Sequence, residues 1–372
     1  MKHALIVGGG IIGTMHAVLA AEKGFAVTQL ERDLKPQSAS IRNFGLIWVS
    51  GRAAGSELEL ALRARELWGE VGSKADIGFR ANGSLTIARS DAEYTVIQEA
   101  AAMADADQRG FKVLDRNQTI ALEPQLVGKY VGALQCTTDA AVEPAMLLGG
   151  LRAYLNTFPN YSWIPEFDAV DFYHDETGNH VTDIAGRKYS GDYLSICAGA
   201  AHHGFIAEYL ESAPLRKVRL QMAATAPLGA PLTHSLADID SLRYYPAFKD
   251  LSLDRLAAQT EIAAAYKMQL LLVQRLDGSM TIGDTHEYAQ PFNHELEEAP
   301  YDHLRKVMNS IFGREVPRIE RRWDGIYSQS TSDEIYIRRE IAPGAQIVTG
   351  VGGRGNTLSP AIAEETLNQW SI

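Results

Sequence analysis

The chain opens with an apolar run that is interrupted by glycines at a fixed spacing. Residues 4–13 read Ala-Leu-Ile-Val-Gly-Gly-Gly-Ile-Ile-Gly, which includes Gly8, Gly10 and Gly13. In this spacing the first glycine permits a tight turn, the second lets the backbone approach a pyrophosphate, and the third lets a helix pack closely against the preceding strand. The opening therefore predicts a strand, a turn and a helix that together hold a dinucleotide.

An acidic residue follows the glycine motif. Glu31 ends the next apolar run, at residues 25–30. A carboxylate at a strand end accepts hydrogen bonds from ribose hydroxyl groups, and its charge repels the additional phosphate of NADP. Strand, glycines, helix and acid occur in the required order, which favours FAD or NAD as the ligand.

Length and charge narrow the class of protein. A chain of 372 residues exceeds the usual size of one domain, so we expect two domains. The net charge of −11 argues against binding to nucleic acid, and it requires that an anionic substrate meets a local basic cluster. No uncharged apolar stretch is long enough for a transmembrane helix, so membrane insertion is not expected.

The start of the chain and the cysteines predict the compartment. The glycine motif begins a few residues after Met1, which leaves no room for a signal or transit peptide and predicts a cytoplasmic protein. Cys136 and Cys197 follow no metal-ligand spacing. In a reducing compartment we interpret them as buried, unreactive thiols.

Two histidine-containing segments resemble metal sites only superficially. His202 and His203 are adjacent, so their side chains point to opposite sides of an extended chain. His286 lies near Asp284 and Glu287, a grouping that hydrogen-bonded polar groups on a strand explain better. We therefore expect no metal site.

Hydrophobic periodicity and turn residues predict the local elements. An alternating pattern around an Asn-Gly turn predicts a β-hairpin at residues 79–88. We expect the strand at 193–199 to return to the nucleotide-binding sheet. The predicted helices are 52–74, 90–109 ended by Gly110, 143–157 entered at Glu143 and Pro144, 299–312, and a last helix from about Ser359; the other predicted strands are 268–273, 280–283 and 346–350.

Four segments together resemble one enzyme family. They are the glycine motif with Glu31, the loop at 38–45 (Ser-Ala-Ser-Ile-Arg-Asn-Phe-Gly), the strand end at 196–199 (Ile-Cys-Ala-Gly) and the closing segment at 350–357 (Gly-Val-Gly-Gly-Arg-Gly-Asn-Thr). The whole chain resembles the FAD-dependent superfamily of D-amino acid oxidase, glycine oxidase and sarcosine oxidase. Within it, residues 40–48 are most similar to a branch associated with phosphonate breakdown, which acts on 2-aminoethylphosphonate or its N-methyl derivative.

The resemblance implies an α/β fold in which a Rossmann-like FAD-binding domain is interleaved with a smaller α+β substrate domain that carries a mainly antiparallel sheet. We expect the FAD-binding domain at 1–80, 140–218 and 322–372, and the substrate domain at 81–139 and 219–321. Neither cysteine matches the position that some relatives use for covalent attachment, so FAD is expected to bind non-covalently.

The glycine motif and the resemblance together predict the cofactor contacts. Ser38 and Ser40 are expected near the pyrophosphate, and Arg42 and Asn43 beside the flavin ring. In the closing segment, glycines let the backbone approach the ring, and the following helix directs its N-terminal dipole at the N1–C2=O edge. The predicted cofactor-binding residues are Gly8, Gly10, Ile11, Ile12, Gly13, Glu31, Arg32, Ser38, Ser40, Arg42, Asn43, Phe44, Gly45, Val170, Ala198, Gly199, Gly352, Gly353, Arg354, Gly355, Asn356 and Thr357.

One departure from the family concerns the substrate. Many amino-acid oxidases of this type carry an arginine shortly after Trp-x-Gly to bind the substrate carboxylate, whereas Tyr327 stands at that position here. An α-amino acid would lose its bidentate partner, so a phosphonate head group becomes the favoured anion. Candidates to bind it are Arg42, Arg52, Arg243, Lys267, Tyr244, Tyr245, Tyr327 and Arg354, of which Tyr245, Lys267 and Arg354 are preferred.

The predicted substrate-binding residues are Arg42, Trp48, Tyr245, Lys267, Tyr327 and Arg354, and the predicted catalytic residues are Lys267, Tyr245, Tyr327 and Arg42. A lysine near the flavin promotes the reaction with oxygen in sarcosine oxidase relatives, which gives Lys267 a second possible role. It is equally consistent with an edge-strand lysine that faces water. We expect Lys267 and the Tyr244–Tyr245 pair to lie in strands of the substrate domain.

The predicted reaction is oxidation of a small anionic amine. Hydride passes to flavin N5, and the imine is hydrolysed to phosphonoacetaldehyde plus ammonia or methylamine. Oxygen is the first candidate for the electron acceptor, and a membrane quinone or another acceptor is the second. Three alternatives stay open: a D-amino acid, glycine or sarcosine type of oxidase or dehydrogenase whose carboxylate is bound by Arg42, Arg52 or Arg354; a flavoprotein subunit of a larger amine dehydrogenase; and a dinucleotide-binding scaffold without chemistry. The oligomeric state and the general base are also open.

Overall fold

A computed structural model describes residues 1–370. Its strands are β1 (His3–Val7), β2 (Ala26–Leu30), β3 (Leu46–Ile47), β4 (Ser84–Ala88), β5 (Phe111–Asp115), β6 (Gly132–Cys136), β7 (Ala140–Ala141), β8 (Tyr161–Ile164), β9 (Ala169–Asp175), β10 (Gly178–Asp183), β11 (Lys188–Gly191), β12 (Tyr193–Ile196), β13 (Leu215–Thr225), β14 (Ser235–Asp238), β15 (Leu271–Gln274), β16 (Met280–Gly283), β17 (Ile319–Ser330), β18 (Ile337–Ala342) and β19 (Ala345–Thr349).

The helices are mostly short. They are α1 (Ile11–Glu22), α2 (Ser56–Gly72), α3 (Asp91–Ala101), α4 (Ala106–Arg109), α5 (Arg116–Leu122), α6 (Pro144–Leu155), α7 (Ile206–Leu210), α8 (Asp240–Tyr244), α9 (Glu261–Ala265), α10 (Glu298–Phe312) and α11 (Gly355–Gln369), with 3₁₀ turns at Ala39–Ile41, Pro246–Phe248, Leu253–Arg255 and Gly352–Arg354. None of the helices within residues 1–370 is both long enough and apolar enough to cross a membrane.

A six-stranded sheet forms the nucleotide-binding half. Its order is β18-β19-β12-β1-β2-β8, and all neighbours are parallel except β18 and β19. The central strand β1 is apolar and buried because α1, α6 and α11 bury their apolar side chains in the same core cluster. This arrangement confirms the predicted Rossmann-like sheet and the return of the chain through β12.

An eight-stranded sheet forms the second half, in the order β17-β13-β16-β15-β14-β4-β6-β5. Its neighbours are antiparallel except β14 and β4. Helix α10 packs its apolar face into the core of this sheet. The mixed α/β fold with a mainly antiparallel second sheet is thus confirmed, whereas the domain boundaries stay a prediction; β17 crosses the boundary expected at residue 322. Small sheets of β9–β11 and of β3 and β7 complete the fold.

Several predicted elements are confirmed. The α6 helix begins at Pro144, where the missing amide hydrogen leaves no helical bond unmade. The hairpin of β15 and β16 surrounds the turn at Asp277 and Gly278. Cys136 and Cys197 are free and buried, and burial raises the pKa of both thiols.

Other local predictions are wrong. The hairpin at 79–88 does not form, because β4 pairs with β6 and β14 rather than with the preceding residues. The helix at 90–109 is broken into α3 and α4, and the last helix begins at Gly355 rather than near Ser359. The sequence predicted strands at Tyr244 and Lys267, but Tyr244 ends α8 and Lys267 follows α9.

Candidate functional site

A cavity of about 910 Å³ lies between the two large sheets. Its walls include the carboxyl ends of β1, β2 and β12, the loop at 38–44, the middle of β17 and the start of α11. The carboxyl edge of a parallel sheet is where open α/β folds bind their ligands. The fold therefore brings both ends of the chain to one site.

The turn after β1 is shaped by two glycines. Gly8 has a φ of 117°, and a Cβ there would lie 2.4 Å from the carbonyl oxygen of Cys197. A Cβ on Gly13 would lie 2.2 Å from the carbonyl oxygen of Gly8. Both positions exclude any side chain, so α1 starts directly behind the turn and directs its N-terminus at the cavity.

Glu31 lies at the end of β2, on the cavity wall and only 8% exposed. One carboxylate oxygen accepts the amide of Gly9 at 2.6 Å, and the other accepts the amide of Asp33 at 3.1 Å. These backbone donors hold the carboxylate in place. Its remaining lone pairs suit two ribose hydroxyl groups.

The loop at 38–45 is held by its own side chains and by the second sheet. Asn43 donates to the carbonyls of Ala39 and Ser40 and accepts the amide of Gly45, so its amide group is committed within the loop. Arg275, next to the β15–β16 hairpin turn, donates to the carbonyls of Asn43 and Phe44 at 2.9 and 3.0 Å. Burial lowers the pKa of Arg275 to about 10.

Arg42 lines the cavity with its charge already paired. Its guanidinium donates to the carbonyls of Gln37 and Asp324 and lies 3.6 Å from the Asp324 carboxylate. Arg219 also donates to that carboxylate, at 2.9 Å. The carboxylate of Asp324 therefore lies between Arg42 and Arg219 and partly neutralises both guanidinium groups.

The closing segment brings an unpaired amide to the cavity. Asn356 lies in the first turn of α11, and both its side-chain oxygen and its side-chain nitrogen are buried without a hydrogen-bond partner among residues 1–370. Arg354 turns away from the cavity and pairs with Glu57 at 2.8 Å. A buried amide with no partner needs a ligand that both donates and accepts hydrogen bonds.

Most of the predicted cofactor residues line this cavity: Gly8, Gly10, Ile11, Ile12, Glu31, Arg32, Ser38, Ser40, Arg42, Asn43, Phe44, Val170, Ala198, Gly199, Gly352, Gly353, Gly355 and Asn356. Of the predicted substrate and catalytic residues, Tyr327 lines it as well. The predicted residues that do not line it are Gly13, Gly45, Trp48, Tyr245, Lys267, Arg354 and Thr357. The roles assigned to all of these residues stay predictions.

The predicted residues that do not line the cavity contact other parts of the protein. Thr357 accepts the amide of Trp48 at 2.9 Å, behind the wall. The ring of Tyr245 lies 5.9 Å from that of Trp48. Lys267 is exposed, with its ammonium 4.7 Å from the centre of the Tyr288 ring.

An acid that the sequence did not single out for catalysis lies on the cavity wall. Asp284 follows β16 and is 8% exposed. It accepts a hydrogen bond from Gln269 at 2.9 Å, and its second oxygen lies 3.8 Å from Nε2 of His286. Burial raises its pKa, and His286 opposes that change. The available signal was its position directly after a buried apolar strand.

Several tyrosine side chains lie near enough to this carboxyl group to interact with it electrostatically. Asp284 contributes to raising the pKa of Tyr244, Tyr288 and Tyr327, for each of which burial is the larger cause. The ring of Tyr244 stacks on that of His286 with centroids 4.3 Å apart. The phenols therefore stay neutral hydrogen-bond donors next to a carboxylate.

Comparison with known proteins identifies the family. The family model DAO, described as FAD dependent oxidoreductase, matches residues 3–369. The chain belongs to this family. FAD is therefore its cofactor, as predicted, and the protein is an oxidoreductase.

One curated relative and two solved structures are similar to this chain at low sequence identity. The B subunit of opine oxidase from Rhizobium meliloti is 29% identical over 165 residues, which is 40% of this chain and 43% of the relative, so the match spans less than half of that protein. Glycine oxidase from Geobacillus kaustophilus has a similar structure, with a TM-score of 0.78, 17% identity, and coverage of 100% of this chain and 96% of the other. Iminodiacetate oxidase from Chelativorans sp. BNC1 has a TM-score of 0.73, 16% identity, and coverage of 97% and 93%.

The cavity fits the cofactor of the DAO family. The α1 N-terminus suits the pyrophosphate and Glu31 a ribose. At the other end, the unpaired amide of Asn356 suits the edge of a flavin ring, which carries both donors and acceptors. The N-terminus of α11 places a partial positive charge beside it.

Replacing Asn356 with leucine should weaken FAD binding by about ten-fold or more, because two hydrogen bonds are lost. The stability of the apoprotein should not fall, since the amide has no hydrogen-bond partner to lose within residues 1–370. Fluorescence titration with FAD and urea unfolding of the apoprotein measure the two effects.

Asn82→Leu is the matched control. The buried side-chain oxygen of Asn82 also lacks a hydrogen-bond partner in the described part of the chain, but Asn82 lies off the cavity and its nitrogen donates to Ser235. This variant should lose stability and keep its affinity for FAD. Equal FAD affinity in Asn356→Leu and the parent would contradict the assignment.

Proposed function

We propose that this protein oxidises a small amine that bears an anionic head group, with 2-aminoethylphosphonate or N-methyl-2-aminoethylphosphonate as the substrate. The observation that carries the amine class is Asp284, a buried carboxyl group on the wall of the cavity that fits FAD. A buried carboxylate is a strong partner for an ammonium group, provided that hydrogen bonds hold it in place. Gln269 supplies one such bond.

Bound FAD supplies a two-electron acceptor: the substrate loses hydride from the carbon that bears nitrogen, and water converts the resulting imine to an aldehyde plus ammonia or methylamine. The chain's own residues prepare the amine. Asp284 attracts the ammonium ion and takes its proton, because burial raises the pKa of the carboxyl group and makes it a better base. Tyr327 offers a neutral hydroxyl from the same cavity.

Lys217 is our candidate for the anionic head group. Among the lysines and arginines that line the cavity within residues 1–370, it is the one that makes no ion pair, whereas Arg32 and Arg42 are paired with aspartates. Ser328 lies directly opposite Lys217 in the β13–β17 pair, and its buried hydroxyl has no partner in the described chain. A cation and a hydroxyl donor together suit a phosphonate or a carboxylate. The sequence-based preference for Tyr245, Lys267 and Arg354 remains the alternative.

The comparisons support a second candidate. The names opine oxidase and iminodiacetate oxidase point to amines that carry carboxylates, which is the amino-acid type of substrate. The opine oxidase relative is also named as one subunit of its enzyme, which supports a flavoprotein that acts only within a larger assembly. Against the amino-acid type, β17 carries Tyr327 where many amino-acid oxidases carry the arginine that binds the carboxylate.

Anaerobic reduction of the FAD-loaded protein tests the proposal. The panel contains 2-aminoethylphosphonate, its N-methyl derivative, glycine, sarcosine, D-alanine and iminodiacetate. We expect the flavin absorption band to bleach fastest with an aminoethylphosphonate. Faster bleaching by a carboxylate amine would overturn the phosphonate assignment, and no bleaching by any amine would overturn the amine class for the isolated chain. Admission of air with detection of peroxide then tests oxygen as the acceptor.

A further inference from the structure

A second cavity lies on the far side of the eight-stranded sheet. Its volume is about 270 Å³, and it shares no lining residue with the larger cavity. The end of β4, the first turn of α3, α8, the segment before α9 and the middle of α10 surround it. None of the predicted site residues except the candidate Arg243 lies here.

Two cations on its wall form no ion pair with any residue from 1 to 370. Arg89 and Lys306 make no ion pair and no side-chain hydrogen bond to any residue from 1 to 370, and Nε of Arg89 is buried. His303 lies one turn before Lys306 on α10. Burial lowers the pKa of His303; Asp240 opposes this change, and Arg89 and Lys306 add to it. Both cations therefore act on the same small volume.

The acids on the wall are already engaged. Asp240 accepts a hydrogen bond from Arg243 at 3.0 Å. Glu93 accepts the backbone amide of Arg89, and burial raises its pKa. Behind the wall, burial raises the pKa of Asp238 to about 7, which reduces its negative charge at neutral pH. Arg89 opposes the rise in the pKa of both Glu93 and Asp238, but it forms no ion pair with either acid. Among residues 1–370, Arg89 and Lys306 therefore remain without an ion-pair partner.

We propose that this second cavity binds a small oxyanion, a phosphate or a carboxylate, between Arg89 and Lys306. A partly buried guanidinium without a partner is unfavourable, and its planar set of donors matches two oxygens of such an anion. Lys306 adds a point charge, and His303 adds a ring nitrogen. The volume admits an ion the size of phosphate or of a short dicarboxylate. The site is independent of the proposed reaction, although α8 connects it to Tyr244 beside Asp284.

Calorimetric titration of the FAD-loaded protein tests this site, because bound FAD blocks the pyrophosphate position. Inorganic phosphate and succinate are the two probes, each at constant ionic strength in chloride. We expect saturable binding of at least one of them, and the probe that binds distinguishes the two sources of oxyanion. Lack of saturable binding of both probes overturns the proposal.

Arg89→Gln and Lys306→Gln locate the binding. Each substitution should lower the affinity for the probe that binds by about ten-fold, which is the effect of losing one charge-assisted hydrogen bond. Lys306 is exposed, so its variant keeps the fold even if Arg89→Gln does not. Lys112→Gln is the control, since Lys112 is also an exposed lysine but lies on β5 away from the cavity. Binding that both variants leave unchanged refutes the assignment.

Discussion

Replacing Gly13 with alanine should abolish FAD binding and lower the free energy of unfolding by about 3 kcal/mol, the upper end of the range for overpacking. The added Cβ would lie 2.2 Å from the carbonyl oxygen of Gly8. That oxygen belongs to the turn between β1 and α1, so relief requires the helix to move away from the strand. The same movement displaces the α1 N-terminus from the cavity.

Gly149→Ala is the matched control. Gly149 also lies within a helix, α6, but a Cβ there meets no atom within 4 Å. Alanine is favoured over glycine in helices by up to about 1 kcal/mol, so this variant should be equally or more stable and should bind FAD normally. Urea unfolding and FAD titration compare the two variants. Normal FAD affinity in Gly13→Ala would show that the N-terminus of α1 does not bind the cofactor.

Replacing Asp284 with asparagine should reduce kcat/KM for the amine by at least about 100-fold, since loss of one member of a buried charge pair costs roughly 3–5 kcal/mol. The substitution preserves the shape of the side chain and still accepts the hydrogen bond from Gln269. The loss would therefore report the missing charge. Steady-state kinetics with the substrate found by flavin reduction measure it.

The pH dependence of kcat/KM provides an independent test of the role of Asp284. Burial raises its pKa, so its carboxylate forms over a higher pH range than that of an ordinary aspartate. In the parent, kcat/KM should rise with pH through that range, and the rise should be absent in Asp284→Asn.

The stability of this variant should change in the opposite sense to its activity. When the folded-state pKa is raised, the stabilising contribution is complete below the unfolded pKa and is lost as pH rises through the folded pKa. At neutral pH the asparagine variant should therefore be as stable as the parent or more stable. Asp302→Asn, at an exposed position of α10, should change neither quantity. Activity of Asp284→Asn within about three-fold of the parent would remove this residue from the mechanism, as that factor is under 1 kcal/mol.

The part of the cofactor site formed by the turn after β1 and by Glu31 could be predicted, because its sequence signals are local. The spacing of Gly8, Gly10 and Gly13 specifies a turn within ten residues, and Glu31 ends the next strand. The resemblance then added the closing segment, which brings Asn356 to the same cavity.

The substrate side could not be predicted in the same way, because its geometry depends on distant pairings. Asp284 reaches the cavity because β16 pairs with β13, and no local pattern specifies that register. Arg275 contacts a loop more than two hundred residues earlier in the chain. The hairpin predicted at 79–88 failed for the same reason, since alternation indicates a strand but not its partner.

The hydrogen bonds between Arg275 and the loop at 38–45 bear on how the cofactor leaves its site. The loop is not a free flap, because swinging it outward would strip a buried guanidinium of its two carbonyl acceptors. Release of bound FAD through this loop should therefore be slow, since each opening breaks both hydrogen bonds.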